Sequence, residues 1–229
     1  MTSKFDFKKM HGLGNDFVIF DQRDGGESLS FDQIRHIADR RRGVGCDQIV
    51  HIKPPVTAGT AAYLDMYNAD GQRVGACGNA TRCVADILMR EANIDNLRLE
   101  TPAGILYASR ADENMVTIDM GRPGLEWQDI PTAKACDTLS VSLGIDELPP
   151  ATLVNMGNPH AVFFVEDADE IDIESLGSEI EAHHFFPEKT NVEFARILDK
   201  NRLRQRVWER GTGITQACGT GACATLVAA

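Results

Sequence analysis

The chain has 229 residues, of which 43% are hydrophobic and 25% are charged, and its formal net charge is −11 at pH 7. These proportions are ordinary for a globular protein and exclude the fibrous and disordered classes. The acidic balance argues against binding to nucleic acid, which needs clustered Lys and Arg. The N-terminus lacks the apolar core of a signal peptide, and no apolar run is long enough to span a bilayer, so we expect a cytoplasmic protein with no membrane partner.

The first half of the chain is predicted to consist mainly of strands, because short apolar runs alternate with turn-forming residues. Strands are expected at 4–9, 16–21, 47–53, 61–67, 97–101, 104–110 and 114–120. Ser30 and Gln33 have the spacing of a capping box at the start of a helix, and Gly43 is expected to end that helix. A second helix begins at Cys77, and the helical spacing of its apolar residues predicts that it is largely buried.

The second half of the chain repeats this plan. Strands are expected at 151–156, 161–166, 190–197 and 203–209, and a helix at 173–183. The closing run, 222–229, is almost wholly apolar and predicts a helix that is buried on every side. Because this run carries no stop signal, we expect the natural protein to continue beyond Ala229. The turn residues at 121–124 predict a domain boundary, with one domain at 1–121 and a second, incomplete at its end, at 122–229.

The two halves carry matched motifs around a cysteine. Ala76-Cys77-Gly78-Asn79-Ala80 in the first half corresponds to Ala217-Cys218-Gly219-Thr220-Gly221 in the second. Asn68 lies nine residues before Cys77, and Glu209 lies nine before Cys218. Further upstream, Gly14-Asn15 matches Gly157-Asn158. A repeat of about half the chain is too long for a solenoid, whose units recur every ~20 to 50 residues. We therefore expect two similar domains that face each other.

A cysteine at the start of each helix indicates acid/base chemistry. The unpaired N–H groups and the positive end of the helix dipole favour the thiolate and can lower the pKa of the thiol. The same N–H groups can bind a carboxylate. Two such helix starts on opposite sides of a cleft would place a sulfur on each face of an amino acid's α-carbon, which stereoinversion requires. The pattern predicts a two-base racemase or epimerase in which Cys77 and Cys218 act as thiolate and thiol.

We expect neither an organic cofactor nor a metal ion. The cysteines lack the short spacings of zinc ligands, and the lysines lack the flanking pattern of a pyridoxal site. In a cytoplasmic chain the six cysteines should be mostly thiols. Cys83 and Cys223 fall off the catalytic face of their helices and are expected in the core, whereas Cys46 and Cys136 are expected to be structural.

Eight short motifs are spread in order over essentially the whole chain. They are His11-Gly12-Leu13-Gly14-Asn15-Asp16-Phe17, Gly43-Val44-Gly45-Cys46-Asp47-Gln48, Asn68-Ala69-Asp70-Gly71, Ala76-Cys77-Gly78-Asn79, Met156-Gly157-Asn158-Pro159-His160, Thr190-Asn191-Val192, Glu209-Arg210-Gly211 and Ala217-Cys218-Gly219-Thr220-Gly221. In this set the sequence closely resembles the diaminopimelate epimerase family. These cofactor-independent enzymes interconvert LL- and meso-diaminopimelate in bacterial lysine and peptidoglycan precursor biosynthesis.

The resemblance implies that Cys77 and Cys218 are the catalytic bases and that His160 and Glu209 modulate their pKa values. Substrate contacts are implied for Asn15, Gln48, Asn68, Gly78, Asn79, Asn158, Asn191, Glu209, Arg210, Gly219 and Thr220. The fold implied is α+β, with two pseudo-symmetric domains, each a curved, mostly antiparallel sheet wrapped around a central helix. The active site is then expected in the cleft between the domains, and the protein is expected to be a homodimer.

The residues leave three alternatives open. A related racemase of the same fold would act on proline or hydroxyproline, a thiol redox protein would form a disulfide between Cys77 and Cys218, and a carboxylate-binding module would carry out no chemistry. At the level of single residues, isolated Asn residues are usually turn formers. His160 can also be structural, and Glu209-Arg210 can be a solvated pair.

Overall fold

The strands form two separate sheets. The computed structural model describes residues 5–26, 28–146 and 148–229. It divides into two compact units, one that ends at Met120 and one from Gly121 to Ala229. Each unit holds a sheet with helices packed against it, so the fold is mixed α+β, as the sequence predicts. Within the described ranges, no helix is both long and apolar enough to cross a membrane.

The first unit is an eight-stranded sheet with two helices. Its elements are β1 (Lys8–Gly12), β2 (Asn15–Asp21), α1 (Phe31–Ala38), β3 (Gln48–Lys53), β4 (Ala62–Asn68), β5 (Arg73–Val74), α2 (Gly78–Ala92), β6 (Asn96–Thr101), β7 (Gly104–Asp112) and β8 (Met115–Asp119). The strands lie in the order β1-β2-β3-β4-β6-β7-β8, and β5 pairs with β4. The pairs β2–β3 and β4–β6 are parallel, with α1 and α2 in their connections. Parallel neighbours need such a crossover.

The second unit is a five-stranded sheet with two helices. Its elements are β9 (Thr152–Asn155), β10 (Pro159–Phe164), α3 (Ile173–Glu181), β11 (Asn191–Asp199), β12 (Arg202–Glu209), β13 (Gly213–Ile214) and α4 (Gly219–Ala228). The strand order is β13-β12-β11-β10-β9. As in the first unit, a parallel pair, β10–β11, is joined through a helix, and the strand that follows pairs antiparallel.

The side chains of β2 alternate between two apolar cores. Phe17 and Ile19 lie in the core that includes α2, whereas Val18 and Phe20 lie in the core that includes α1. Successive side chains of a strand point to opposite faces, so both faces of the sheet are covered here. This explains why β2 is a continuous apolar run and not an alternating one.

The sheet of the second unit is also packed on both faces. The rings of Phe163 and Phe194 stack with 5.6 Å between their centroids, in a core shared with Ile173 and Ile180 of α3. On the other face, α4 contacts β9 to β12. The face under α4 carries the alternate residues of β10 and β11, which include the polar ones described below.

The predicted capping box of α1 is confirmed, and the structure adds the turn between β1 and β2. The side chain of Ser30 accepts a hydrogen bond from the backbone N–H of Gln33, and the Gln33 side chain accepts one from Ser30, so α1 begins with a capping box. Leu13 and Gly14 join β1 to β2 with φ values of 54° and 88°. A two-residue hairpin with positive φ at both positions matches the twist of the strands. The first strand itself is Lys8–Gly12 and not 4–9, of which position 4 lies outside the described residues.

The predicted end of α1 is wrong. The helix ends at Ala38, and Asp39 already has extended backbone angles, so Gly43 lies beyond the cap. Gly43 serves a different purpose, because a Cβ atom at this position would lie 1.9 Å from the carbonyl oxygen of His36. The glycine allows the returning chain to pass close to the helix end.

The prediction that the closing helix is buried on every side is also wrong. In α4, Ala224 and Thr225 are buried against the sheet, but Leu226 is 71% exposed and Val227 is 39% exposed. The strands of the sheet cover only the side of the helix that faces them.

Candidate active site

Cys77 is the N-cap of α2, as the sequence predicts. Its backbone is extended, with φ −145° and ψ 108°, and its carbonyl oxygen accepts the first helical hydrogen bond, from the N–H of Thr81 at 2.9 Å. Gly78 and Asn79 form the buried first turn. The Cys77 side chain therefore lies at the end of the helix where backbone N–H groups lack helical partners.

Three carboxamide side chains lie at the ends of neighbouring strands in the same unit. Gln48 begins β3 and faces Asn68, the last residue of β4, and its Nε2 donates to Asn68 Oδ1 at 2.9 Å. Asn15 begins β2. Asn15 Oδ1 and Gln48 Oε1 are buried and have no hydrogen-bond partner among residues 5–26, 28–146 and 148–229. A buried unpaired oxygen costs ~1–3 kcal/mol, so these two atoms are candidates for contact with a ligand.

Cys218 is the N-cap of α4, in the same relation to its helix. Its backbone is extended, and its Sγ accepts a hydrogen bond from the N–H of Gly221 at 3.3 Å. The sulfur also lies 3.3 Å from Thr220 Oγ1. The side chain is more deeply buried than that of Cys77, at 9% exposure for the residue.

Carboxylates surround Cys218. Glu209 is within hydrogen-bond reach of the sulfur, and its Oε1 accepts from Thr215 Oγ1 at 2.5 Å. Burial raises the pKa of Glu209 above its usual value. Burial, followed by the charges of Glu209 and Glu193, raises the pKa of Cys218 well above that of a free thiol. The expectation that a helix N-terminus lowers this pKa is therefore wrong for Cys218, because desolvation and two acids outweigh the helix end.

His160 is buried in a chain of polar contacts. Its Nδ1 lies 2.7 Å from Glu193 Oε1, and its Nε2 lies 2.9 Å from Asn158 Oδ1. His160 and Glu193 are both fully buried. Sequence reasoning did not single out Glu193. The available signal was a charged residue between the apolar residues Val192 and Phe194.

Asn191 and Arg210 connect the ends of three strands in the second unit. Asn191 Nδ2 donates to the carbonyl of Pro159 at 2.8 Å, and its Oδ1 accepts from the backbone N–H of Arg210 at 2.9 Å. Arg210 Nη1 donates to the carbonyl of Glu188 at 3.1 Å. Asn191 therefore has a clear structural function, and a contact between it and substrate stays a prediction.

The remaining cysteines lie apart from these helix starts. Cys83 is buried in the core under α2, and Cys46 is buried in the core under α1, as expected. Cys136 packs at the edge of the core of the second unit, and Cys223 is half-buried on α4. No disulfide bond links any cysteine in the described part of the chain.

Solved structures with a similar fold include an epimerase and a probable racemase of amino acids. A hydroxyproline epimerase from Agrobacterium vitis, solved with bound trans-4-OH-L-proline, matches 96% of this chain and 75% of its own, with a TM-score of 0.65 and 17% identity. A probable proline racemase from Agrobacterium radiobacter K84 matches 98% of this chain and 77% of its own, with a TM-score of 0.68 and 16% identity. At this identity the likeness defines the fold alone, which is the two-domain fold of this epimerase class.

Sequence relatives define the family. The sequence profile described as diaminopimelate epimerase matches residues 7–126 and 152–229. The diaminopimelate epimerase of Rhodospirillum centenum is 49% identical over 223 residues, covering 97% of this chain and 77% of the relative. That of Phenylobacterium zucineum is 48% identical over 227 residues, covering 97% and 81%. The chain belongs to the diaminopimelate epimerase family and is an isomerase, which confirms the resemblance seen in its motifs.

Proposed function

We propose that the chain interconverts LL- and meso-diaminopimelate by a two-base mechanism, in which Cys77 and Cys218 transfer the protons. The observation that carries this proposal is that each cysteine is the N-cap of a helix that packs on the sheet of its own unit. The substrate is inferred from membership of the family, and the proton-transfer chemistry is inferred from the paired cysteines. One sulfur, as thiolate, removes the α-proton, and the other, as thiol, protonates the opposite face of the same carbon.

The helix starts have a second role in this proposal. Removal of the α-proton develops negative charge next to the α-carboxylate, and oriented N–H donors stabilise such charge where water is excluded. The backbone N–H groups of Gly78 and Asn79 and those of Gly219 and Thr220 are placed at the helix ends that bind anions. The carbanion is stabilised by these groups without an organic cofactor.

The remaining polar residues recognise the second amino-acid end of the substrate. The unpaired oxygens of Asn15 and Gln48 are hydrogen-bond acceptors, which suit an ammonium group. The guanidinium of Arg210 suits a carboxylate. Asn68, Asn158 and Asn191 complete this set, and His160 and Glu209 set the proton affinities of the cysteines. Such contacts orient the reacting carbon between the two sulfurs.

The proposal extends to the organisation of the protein. Residues 1–121 and 122–229 are the two epimerase domains, and each contains one of the two proposed catalytic cysteines. The protein acts as a cytoplasmic homodimer in lysine and peptidoglycan precursor biosynthesis. Membership of the family supports these points, and gel filtration with light scattering measures the oligomeric state.

Incubation of the protein with meso-diaminopimelate in deuterated water tests the reaction. We expect deuterium at the reacting α-carbon together with the formation of LL-diaminopimelate. Replacement of Cys77 or Cys218 by Ala should lower the rate by at least about a hundredfold, because each variant lacks one acid/base group. Cys223→Ala removes a thiol from α4 outside the proposed chemistry and should retain the rate.

The outcomes separate the alternatives. Deuterium in L-proline but not in diaminopimelate would assign the chain to the proline-type racemases. No deuterium in either amino acid, together with a disulfide between Cys77 and Cys218 on oxidation, would favour a redox protein. Binding of diaminopimelate without exchange would leave a carboxylate-binding module. A near-normal rate in either Cys→Ala variant would contradict the assigned roles.

A further inference from the structure

The buried pair His160 and Glu193 has no polar counterpart in the first unit. In the parallel pairs, His160 is opposite Asn191 and Phe17 is opposite Gln48, so His160 and Phe17 occupy equivalent places. Two residues further along the second strand of each pair, Glu193 corresponds to Val50. Phe17 and Val50 are fully buried in the core under α2. Equivalent positions of the paired strands therefore hold two apolar side chains in the first unit and two polar side chains in the second.

The carboxylate of Glu193 reaches the first turn of α4. A Cβ atom built on Gly221 would lie 2.6 Å from Glu193 Oε1, so the glycine is what allows this close approach. The N–H of the same Gly221 donates to Cys218 Sγ. Glu193 Oε2 is buried and has no hydrogen-bond partner in the described part of the chain. A buried carboxylate without full compensation is costly, which argues for a function beyond packing.

We infer that Glu193 is a positioning residue, which fixes the ring of His160 and holds a negative charge beneath the start of α4 so that Cys218 is kept as a thiol. Contacts at both ring nitrogens, from Nδ1 to Glu193 Oε1 at 2.7 Å and from Nε2 to Asn158 Oδ1 at 2.9 Å, fix the orientation of the His160 ring. The titratable groups that face Glu193 are His160 on β10, Glu209 on β12 and Cys218 at α4. The charge of Glu193 adds to that of Glu209 in raising the pKa of Cys218.

Thiol reactivity tests the inference without any substrate. The full chain is alkylated with iodoacetamide over a range from about pH 6 to about pH 11, and the modified Cys77 and Cys218 peptides are quantified by mass spectrometry. In Glu193→Gln, which keeps the shape but removes the charge, the midpoint for Cys218 should move down by about one pH unit, which is about a tenfold faster reaction near neutral pH. The midpoint for Cys77 should not move.

Two variants serve as controls, and a third replaces Glu193→Gln if that variant does not fold. Glu181→Gln removes a buried carboxylate of the same unit that instead bonds Trp208 and Gly211, so it should leave the Cys218 midpoint unchanged. Glu193→Asp keeps the charge and should restore most of the original midpoint. If Glu193→Gln fails to fold because His160 loses its partner, the double variant His160→Phe with Glu193→Val reproduces the pair found in the first unit, and its Cys218 midpoint should lie below that of His160→Gln alone.

An unchanged or raised Cys218 midpoint in the folded variant would overturn the inference, as would an equal shift at Cys77. Only the catalytic role of the Cys218 thiol rests on the proposed function. A chain that fails to exchange deuterium but shows the expected midpoints would overturn the proposed function and leave the role of Glu193 intact.

Discussion

His51 is a buried, titratable side chain that the proposed reaction does not use. Its ring stacks on Phe20 at 5.5 Å between centroids and meets Tyr67 edge-on at 5.9 Å. The residue is 2% exposed, and its Nδ1 has no hydrogen-bond partner within the described ranges. Burial, together with the nearby charge of Lys53, lowers the pKa of His51 to about 4. The folded protein therefore holds this ring in its neutral form.

The stability of the protein should fall between about pH 6.5 and about pH 4 because of this residue. The unfolded chain binds a proton at His51 near its ordinary pKa of about 6.5, whereas the folded chain does not until about pH 4. The free energy of unfolding should therefore decrease as the pH falls through this window, by an amount on the order of 3 kcal/mol.

Urea unfolding at several pH values measures this effect. His51→Phe keeps an aromatic ring against Phe20 and should make the pH dependence between about pH 6.5 and about pH 4 shallower. His36→Gln, on the exposed side of α1, is the matched control and should keep the original slope. A His51→Phe variant with the slope of the unmodified chain would rule out this explanation.

At the scale of single elements, α3 and β12 are held close together at one glycine. A Cβ atom on Gly177 would lie 2.7 Å from both Cβ and Cγ of Trp208. The indole cannot easily move aside, because its Nε1 donates to Glu181 Oε2 at 2.7 Å. The glycine sets the distance between the helix and the sheet.

Gly177→Ala should destabilise the second unit although alanine is the better helix former. The overpacked contact is expected to cost ~1–3 kcal/mol, against a gain of up to about 1 kcal/mol in helix propensity. Thermal unfolding should show a lower midpoint than in the unmodified chain. Ser178→Ala, the neighbouring position on the exposed side of α3, should be neutral or slightly stabilising. A stabilised Gly177→Ala variant would contradict the close packing.

The features that the sequence predicts well are those that depend on neighbouring residues. The capping box of Ser30 and Gln33 and the helix starts at Cys77 and Cys218 follow from local backbone chemistry, and the structure confirms them. The purpose of Gly43 was missed, because it depends on a contact with the carbonyl of His36 and not on the residues next to it.

Features that depend on strand pairing were not predictable in the same way. Glu193 reaches the site because β11 pairs with β10 and its face lies under α4. The pKa of Cys218 depends on Glu193 and Glu209, which come from two different strands. The exposed Leu226 was missed because hydrophobicity alone does not specify which side of a helix is covered.

At the scale of the whole molecule, each unit has cores of its own. The cores under α2 and α1 contain residues of the first unit, and the core with α3 contains residues of the second. Leu64 and Leu153 are fully buried representatives of the two units. A cavity in one unit should therefore loosen that unit more than the other.

Hydrogen exchange measured by mass spectrometry tests this independence. Leu153→Ala is expected to cost ~2–5 kcal/mol and to raise exchange mainly in residues of the second unit. Leu64→Ala is the matched variant and should raise exchange mainly in the first unit. Equal increases in both units from either variant would show that the two fold as one cooperative block.

Under the proposed two-base mechanism, the unlike pairs Phe17–Val50 and His160–Glu193 give the two protonation forms of the free enzyme unequal free energies. In the proposed reaction one sulfur gains a proton and the other gives one up, so each conversion leaves the proton on the opposite cysteine. The carboxylates around Cys218 favour the form in which that sulfur holds it. Enzyme released with the proton on Cys77 must exchange protons with water before it can act again in the same direction. At high substrate concentration this relaxation can then limit turnover.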